Sequence, residues 1–275
     1  MKMPSKISIG LPVYNGEKSI EKAIVAIQSQ TYQNFKLIIS DNASTDRTEK
    51  ICRPYAEQDE RIKYIKHKVN MGPIANFKYA LDCANSPYFM WAADDDLWLP
   101  SFLEKNLAVL EKNPEIVASI SRVKMPSIAH KSPVLVNTYP LRQKNYIFRL
   151  RSFLRSLRAN SRFYSIYRSS ALKHSFVGEN FMGGMDVTTI VKILKYGGFY
   201  ELTETLMERS CYGISSTLLT NQFDRYGITG LEKLFPFYRF TVWLWENLSA
   251  KDFLSCFDAI VKINLFFSLV VLAEW

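Results

Sequence analysis

At 275 residues, 48% of them hydrophobic and 22% charged, the chain has the make-up of a folded globular protein, and disorder as its main state is excluded. A formal net charge of +9 favours anionic partners, among them nucleic acid, phosphorylated substrates and an acidic membrane face. The four cysteines, Cys52, Cys83, Cys211 and Cys256, lie far apart with no CxxC pair, so neither a zinc cluster nor a disulfide framework is implied. A reducing, cytoplasmic setting fits. Residues 1–6 lead straight into an apolar strand, with no long apolar segment to serve as a signal peptide.

Residues 7–13 (ISIGLPV) form a short β-branched run ended by Tyr14-Asn15-Gly16, which predicts a buried strand and a loop. Ile20, Ala23, Ile24 and Ile27 then recur at helical spacing. A second strand, Phe35 to Ser40, runs into the polar loop Asp41 to Asp46, where Asp46 and Glu49 have capping-box spacing for a helix start. Ile62 to Lys66 predicts a third strand, and Ile74, Phe77, Leu81 and Ala84 another helix. A fourth strand, Tyr88 to Ala92, ends on Asp94-Asp95-Asp96, after which Pro100 opens a helix that stops before Pro114.

Strands alternating with helices at this pace imply βαβ units and a mainly parallel sheet, in which ligands gather at the carboxyl ends of the strands. Those ends carry Pro12 to Glu17, Asp41 to Asp46 and Asp94 to Asp96. Further on, residues 125–145 hold three prolines and predict loop. Arg149, Arg151, Arg155, Arg158 and Arg162 then interleave with Phe148, Leu150, Phe153, Leu154 and Leu157, as in a basic amphipathic helix. Phe163 to Arg168 looks like a strand, Asp186 begins a helix, and the chain turns helical and aromatic after about residue 222.

Three consecutive carboxylates crowd negative charge at a sheet edge, which is unfavourable unless solvent or a cation relieves it. A hard divalent ion does so with few protein oxygens and the rest from water and phosphate. An isolated Asp-Asp-Asp is more often a solvated, helix-capping turn.

Five segments in order change that balance: LPVYNGE (Leu11 to Glu17), ISDNASTDRT (Ile39 to Thr48), NMGPIANF (Asn70 to Phe77), AADDDLWLP (Ala92 to Pro100) and GGMDVTTIVKILKYGG (Gly183 to Gly198). Together they resemble the family 2 glycosyltransferases of the GT-A fold, over most of the first 210 residues. The resemblance implies an α/β GT-A domain over residues 1–215 with a helical extension over 216–275. It also implies an activated sugar donor, inversion at the anomeric carbon, and Mg²⁺ or Mn²⁺ as cofactor.

By the same resemblance, Pro12, Tyr14 and Glu17 are similar to the first nucleotide loop, and Asp41 to the carboxylate that pairs with the base. A carboxylate accepts a hydrogen bond from an imide N–H, which uracil or thymine offers. The competing role for Asp41 is an Asx turn or helix cap. Asn70, Gly72 and Asn76 resemble the segment closing over base and ribose. Asp94 is expected to face the ribose, Asp95 to ligate the metal, Asp96 to support the loop or the metal's water shell, and Arg209 to meet the diphosphate. Asp186 stands where the family places its catalytic base, although an aspartate at a helix N-terminus is also a plain cap. The chain departs from the family pattern at Ala93, Met185 and Tyr212, where many members carry an acid, a glutamate and a histidine.

Inverting transfer needs a base, in-line attack and a stabilised leaving group, which Asp186, the bound geometry and the metal supply. The expected acceptor is a glycan hydroxyl in polysaccharide or lipid-linked glycan synthesis, with no nucleic acid as partner. A dinucleotide oxidoreductase also starts with βαβ, but the first loop lacks GxGxxG. The non-catalytic rival is a basic peripheral membrane or nucleic-acid-binding protein using the arginine helix. Ile263 to Ala273 (INLFFSLVVLA) is too short to span a bilayer, for which roughly 20 residues are needed. It fits packing in the core, an oligomer contact, or docking with the arginine helix on an anionic membrane at its inner face.

Overall fold

The computed structural model describes residues 4–125, 141–157, 161–182, 184–210 and 219–274, and the backbone of 134–136. The first half alternates as its periodicity predicts: β1 (Ile7–Val13), α1 (Ile20–Gln28), β2 (Phe35–Asp41), α2 (Thr48–Gln58), β3 (Ile62–Lys66), α3 (Pro73–Asp82) and β4 (Tyr88–Trp91). Then follow β5 (Leu97–Trp98), α4 (Phe102–Lys112), β6 (Ile116–Met125), β7 (Val134–Val136), α5 (Tyr146–Arg155), β8 (Ile166–Arg168), α6 (Ser169–Ser175), α7 (Met185–Ile193) and β9 (Gly198–Glu208). Four helices close the chain: α8 (Phe223–Tyr226), α9 (Tyr238–Asn247), α10 (Ala250–Ser255) and α11 (Phe257–Glu274).

One sheet runs in the order β3-β2-β1-β4-β8-β6-β9-β5, with β7 on β6. The four strands from β3 to β4 are parallel, as expected from the crossover helices between them. Beyond β4 the directions mix: β8 is antiparallel to β4 and β6, β9 is parallel to β6, and β5 is antiparallel to β9. The mainly parallel expectation therefore describes the first half. Residues Ser161–Tyr164 form a 3₁₀ turn, so only the last part of the predicted Phe163–Arg168 strand is one.

Strand alternation sorts the core into two layers. Ile7, Ile9, Leu11 and Val13 of β1, with Met90 of β4, pack under α1, α2 and α4. Phe89 and Trp91 of β4 point the other way, into a larger cluster shared by α3, α5, α7 and the C-terminal helices. The segment after residue 219 thus buries Phe223, Phe237, Phe240, Trp243 and Phe253 in the core it shares with the sheet. The domain boundary expected near residue 215 lies outside the described residues.

Two local expectations are corrected. The Asp46/Glu49 capping box does not form: Asp46 accepts from the Thr48 N–H at 2.9 Å, but Glu49 turns away to Lys66 and Arg53. The free basic face predicted for the arginine helix is mostly spent on tertiary contacts. Arg149 is buried and donates to the Leu194 carbonyl at 3.1 and 2.8 Å, while Arg151 and Arg155 both pair with Asp258 of α11. Arg162 is also buried, and Arg158 lies outside the described residues.

Candidate active site

The chain runs outward from β1 to β2 and β3 with α1 and α2 on one face, then returns through α3 on the other face to β4. At the carboxyl ends of β1 and β4 the connections therefore diverge, and such a switch point leaves a crevice where ligands bind. A cleft of about 1710 Å³ opens there. Its near wall holds Pro12, Tyr14, Glu17, Lys18 and Asp94 to Asp96, and its far wall Tyr164, Asp186, Arg209 and residues of the C-terminal helices. The volume exceeds the roughly 300–1,000 Å³ of a single small-ligand pocket.

The near wall is a pair of loops fastened by side chains onto backbone. Asn15, Gly16 and Glu17 donate their N–H groups to Ser44 Oγ (2.9 Å), Thr48 Oγ1 (2.9 Å) and Asp46 Oδ2 (3.0 Å). In return the Glu17 carboxylate accepts from the Arg47 N–H at 3.1 Å. Glu17 therefore braces the loop. A Cβ at Gly16 would lie 2.6 Å from Val13 Cγ2 and 2.8 Å from Asp94 Oδ2, so a larger residue there would displace the Asp94 carboxylate or Val13.

The three aspartates occupy different surroundings. Asp94 accepts from Ser19 Oγ at 2.7 Å, and burial with the neighbouring Asp95 charge raises its pKa against the lowering effect of that hydrogen bond. Asp95 is half-buried on the cleft wall. Asp96 is buried, accepts from the Ser210 N–H at 3.0 Å and lies 3.6 Å from Arg209 Nε. Burial pushes the Asp96 carboxyl up to about 6, against the pull of Arg209 and the Ser210 N–H. The antiparallel pairing of β5 with the end of β9 makes this contact, by setting residues 97–98 against 207–208.

On the far wall the Arg209 guanidinium stacks 5.1 Å from the Tyr164 ring. Burial raises the Tyr164 hydroxyl, Arg209 opposes the rise, and Asp96, Asp95 and Asp186 add to it. Asp186 sits in the first turn of α7, whose N-cap is Gly184, and the buried Ile190, Val191 and Leu194 anchor the helix. Gly184 serves packing: a Cβ would stand 2.5 Å from the Glu179 carbonyl and 2.6 Å from that of Phe181. Gly183, expected to ease substrate approach, lies outside the described residues.

Of four expected nucleotide contacts, Asp41 and Asn76 are buried behind the wall, and the exposed Asn70 and half-buried Gly72 do not line the cleft. Asp41 is fully buried; its Oδ1 accepts from the Ser44 N–H at 2.8 Å, and its Oδ2 from the Tyr64 hydroxyl. That is the Asx turn, and both carboxylate oxygens are engaged. Asn76 is buried, donates to the Ser40 carbonyl at 2.9 Å and accepts from Ser40 Oγ at 2.6 Å, tying α3 to β2. Asn70 accepts from Asn42 and from the Gly72 N–H, both at 2.8 Å, while the Gly72 carbonyl accepts from Asn42 at 3.1 Å. These residues shape the loop. The sequence reading missed Ser19, Lys18, Lys22 and Tyr164 on the cleft wall. The lysines had a signal, being cations at the start of a helix beside the first loop; Tyr164 had none, because long-range strand pairing brings it in.

Residues 8–176 match the family described as glycosyl transferase family 2. The chain belongs to that family. Among curated relatives, it is 27% identical over 198 residues to a GalNAc(5)-diNAcBac-PP-undecaprenol beta-1,3-glucosyltransferase of Campylobacter jejuni, covering 71% of this chain and 62% of that one. For three curated relatives the matched part spans 39%, 35% and 62% of their length. The fold matches S. aureus TarS 1–349 in complex with UDP-GlcNAc, with a TM-score of 0.61 and 16% identity over 94% of this chain and 81% of that one. It also matches the mannosyltransferase PcManGT of Pyrobaculum calidifontis in complex with GDP-Man and Mn²⁺, with a TM-score of 0.62 and 16% identity over 98% and 73%. At such identity the structural matches speak for the fold, a GT-A glycosyltransferase architecture.

Proposed function

We propose that the protein transfers a sugar from a nucleotide-diphosphate donor, a UDP-sugar in preference, to an acceptor hydroxyl with inversion at the anomeric carbon. The observation that carries this reading is that Asp94 and Asp95 at the switch point and Asp186 on the opposite wall line one cleft. The in-line geometry requires a leaving group on one side of the sugar and a base on the other. Asp186 accepts the proton of the attacking hydroxyl, and no covalent intermediate is needed. Arg209, held by Asp96 and Tyr164, presents its guanidinium to the departing diphosphate.

The residues fit Mg²⁺ or Mn²⁺ at Asp95, with Asp94 beside it. Among the described residues no group of three or more acidic, histidine or cysteine side chains is placed to cage an ion. One or two carboxylates completed by diphosphate oxygens and water is the arrangement such a hard ion takes with nucleotides. Asp96 is assigned to holding the end of β9 rather than to the ion, being buried, with Oδ1 accepting from the Ser210 N–H and Oδ2 3.6 Å from Arg209 Nε. When bound, the ion would neutralise charge developing on the diphosphate. Asp41, with both oxygens engaged, is assigned to loop shape rather than to the base. Solved structures of this fold hold UDP-GlcNAc in one case and GDP-Man in another, so the base follows from side chains and not from architecture. The Campylobacter relative's name specifies an undecaprenol-linked acceptor, which supports a lipid-linked glycan or surface polysaccharide as product.

A panel of nucleotide sugars assayed for nucleoside diphosphate release, with Mg²⁺ or Mn²⁺ and with chelator, tests the reading. Asp95→Asn is expected to weaken metal-dependent donor binding about tenfold or more. Unchanged activity with full metal dependence in that variant overturns the ligand assignment. Salt-sensitive RNA binding without turnover supports the non-catalytic rival.

A further inference from the structure

Helix α11 carries no charge from Ile263 to Ala273, and its faces there are mostly apolar and meet different surroundings. Ile260, Ile263 and Val271 are buried in the core, and Phe267 and Val270 line the cleft. On the outward side Leu254 of α10 and Phe257, Val261, Leu265, Leu269 and Leu272 follow one another at spacings of three and four residues, 39–67% exposed. Trp245, also exposed, stands 5.1 Å from Phe253 and extends the stripe. A helix with no polar face is ordinarily covered on every side. No helix among the described residues is long and apolar enough to cross a membrane.

The charges around the stripe indicate what covers it. Asp258 is held by Arg151 and Arg155, and the Glu274 carboxylate turns inward to accept from the Leu219 and Thr220 N–H groups at 2.9 and 2.8 Å. Asp252, in the first turn of α10, is half-buried. The exposed Lys251 and Lys262 flank the apolar residues, Glu246 beside Trp245 is the exposed acid at the far end, and 263–273 carry no charge. An apolar stripe edged by lysines, on a chain of net charge +9, repels a second copy and complements anionic headgroups.

We propose that the outward face of α11 lies on an anionic lipid bilayer. The helix, about 27 Å long and about 10 Å across with its side chains, then separates the cleft from the lipid by its own thickness. An acceptor carried in that bilayer would be presented beside the wall that Phe267 and Val270 form. The surface is the apolar stripe and its two lysines, and the arginines of α5 act by fixing Asp258.

Flotation with phosphatidylcholine vesicles containing roughly one-third phosphatidylglycerol tests this. The unaltered protein is expected to float at low salt and far less with phosphatidylcholine alone. Leu265→Glu/Leu269→Glu should lose binding by about tenfold or more, and Lys251→Gln/Lys262→Gln by about fivefold per charge removed. Both variants alter exposed residues away from the cleft, so circular dichroism and the thermal shift induced by a UDP-sugar should stay as in the unaltered protein. Those readouts separate failure here from failure of the catalytic reading. Absence of flotation at low salt by a folded protein overturns the proposal. So does a dimer in sedimentation that Leu265→Glu/Leu269→Glu dissolves while vesicles fail to bind.

Discussion

The two walls of the cleft are built on different principles. The near wall is a pair of short loops, with a third loop fastened beside them, stitched by hydroxyls, amides and carboxylates onto backbone N–H groups: Ser44 to Asn15, Thr48 to Gly16, Asp46 to Glu17, Asn42 to Met71. The far wall is assembled from α7, the end of β9 and the C-terminal helices, and it is held by apolar packing with a few ion pairs. Side-chain-to-backbone bonds are directional and fix the course of a loop. Apolar packing fixes shape and leaves polar specificity to a few residues. On the proposed reading the near wall takes the nucleotide, and the far wall, Arg209 apart, faces the acceptor.

Four substitutions would break or sharpen that contrast. The largest effect is expected at the far wall: Asp186→Asn should lower transfer by roughly 10²-fold or more while the donor's binding, measured by calorimetry, stays near normal. A parallel loss of donor affinity would show that the walls do not divide the work. In the near wall, Asn76→Ala would leave Ser40 Oγ and its carbonyl without their buried partner, at a cost of about 1–3 kcal/mol. The melting temperature should fall by roughly 2–12 °C. A fall below that range would mean that the Asn76 contacts do not hold the loop.

A smaller effect separates the walls by pH. Hydrogen bonds from Arg151 and Arg155 hold the Asp258 carboxyl at about 2, below the ordinary range. A depressed carboxylate contributes stability that is present above its unfolded pKa of about 4 and is lost as pH falls through the folded value. Asp258→Asn should therefore lose its deficit against the unaltered protein as pH drops from about 4 to about 2, with no difference in that trend near neutrality. Acid unfolding followed by tryptophan fluorescence, to which Trp243 and Trp245 of α9 contribute, reads this. A constant gap between the two proteins across that window would rule out the linkage. The smallest effect lies in the near wall. Ala43 holds a φ of 63°, in the left-handed region that disfavours a Cβ, so Ala43→Gly should stabilise by up to about 1 kcal/mol. Destabilisation by the glycine would mean that the methyl group packs usefully.

What the sequence by itself determined is the local part. Alternation in β1, helical spacing in α1 and α3, and the polar run after each strand identified the parallel half, its rim and the family, because these follow from periodicity and from loops of fewer than ten residues. Asp95 and Asp186 on the cleft wall belong to motifs that can be read in one stretch. What only the tertiary structure decided depends on partners distant in the chain. β6 and β9 are mixed in polarity, and pairing with each other and with β8 makes them strands. Asp41 looked free to meet a base until Tyr64, 23 residues on, took its second oxygen. Asp96 looked like its two neighbours until the end of β9 set Arg209 and Ser210 against it, 113 and 114 residues away. The arginine run looked like a surface until Leu194 and Asp258 claimed it. A carboxylate or guanidinium has the same local pattern whether it faces solvent, substrate or another chain segment. Its role is set by desolvation and by its partner, and long-range strand pairing and helix packing decide both.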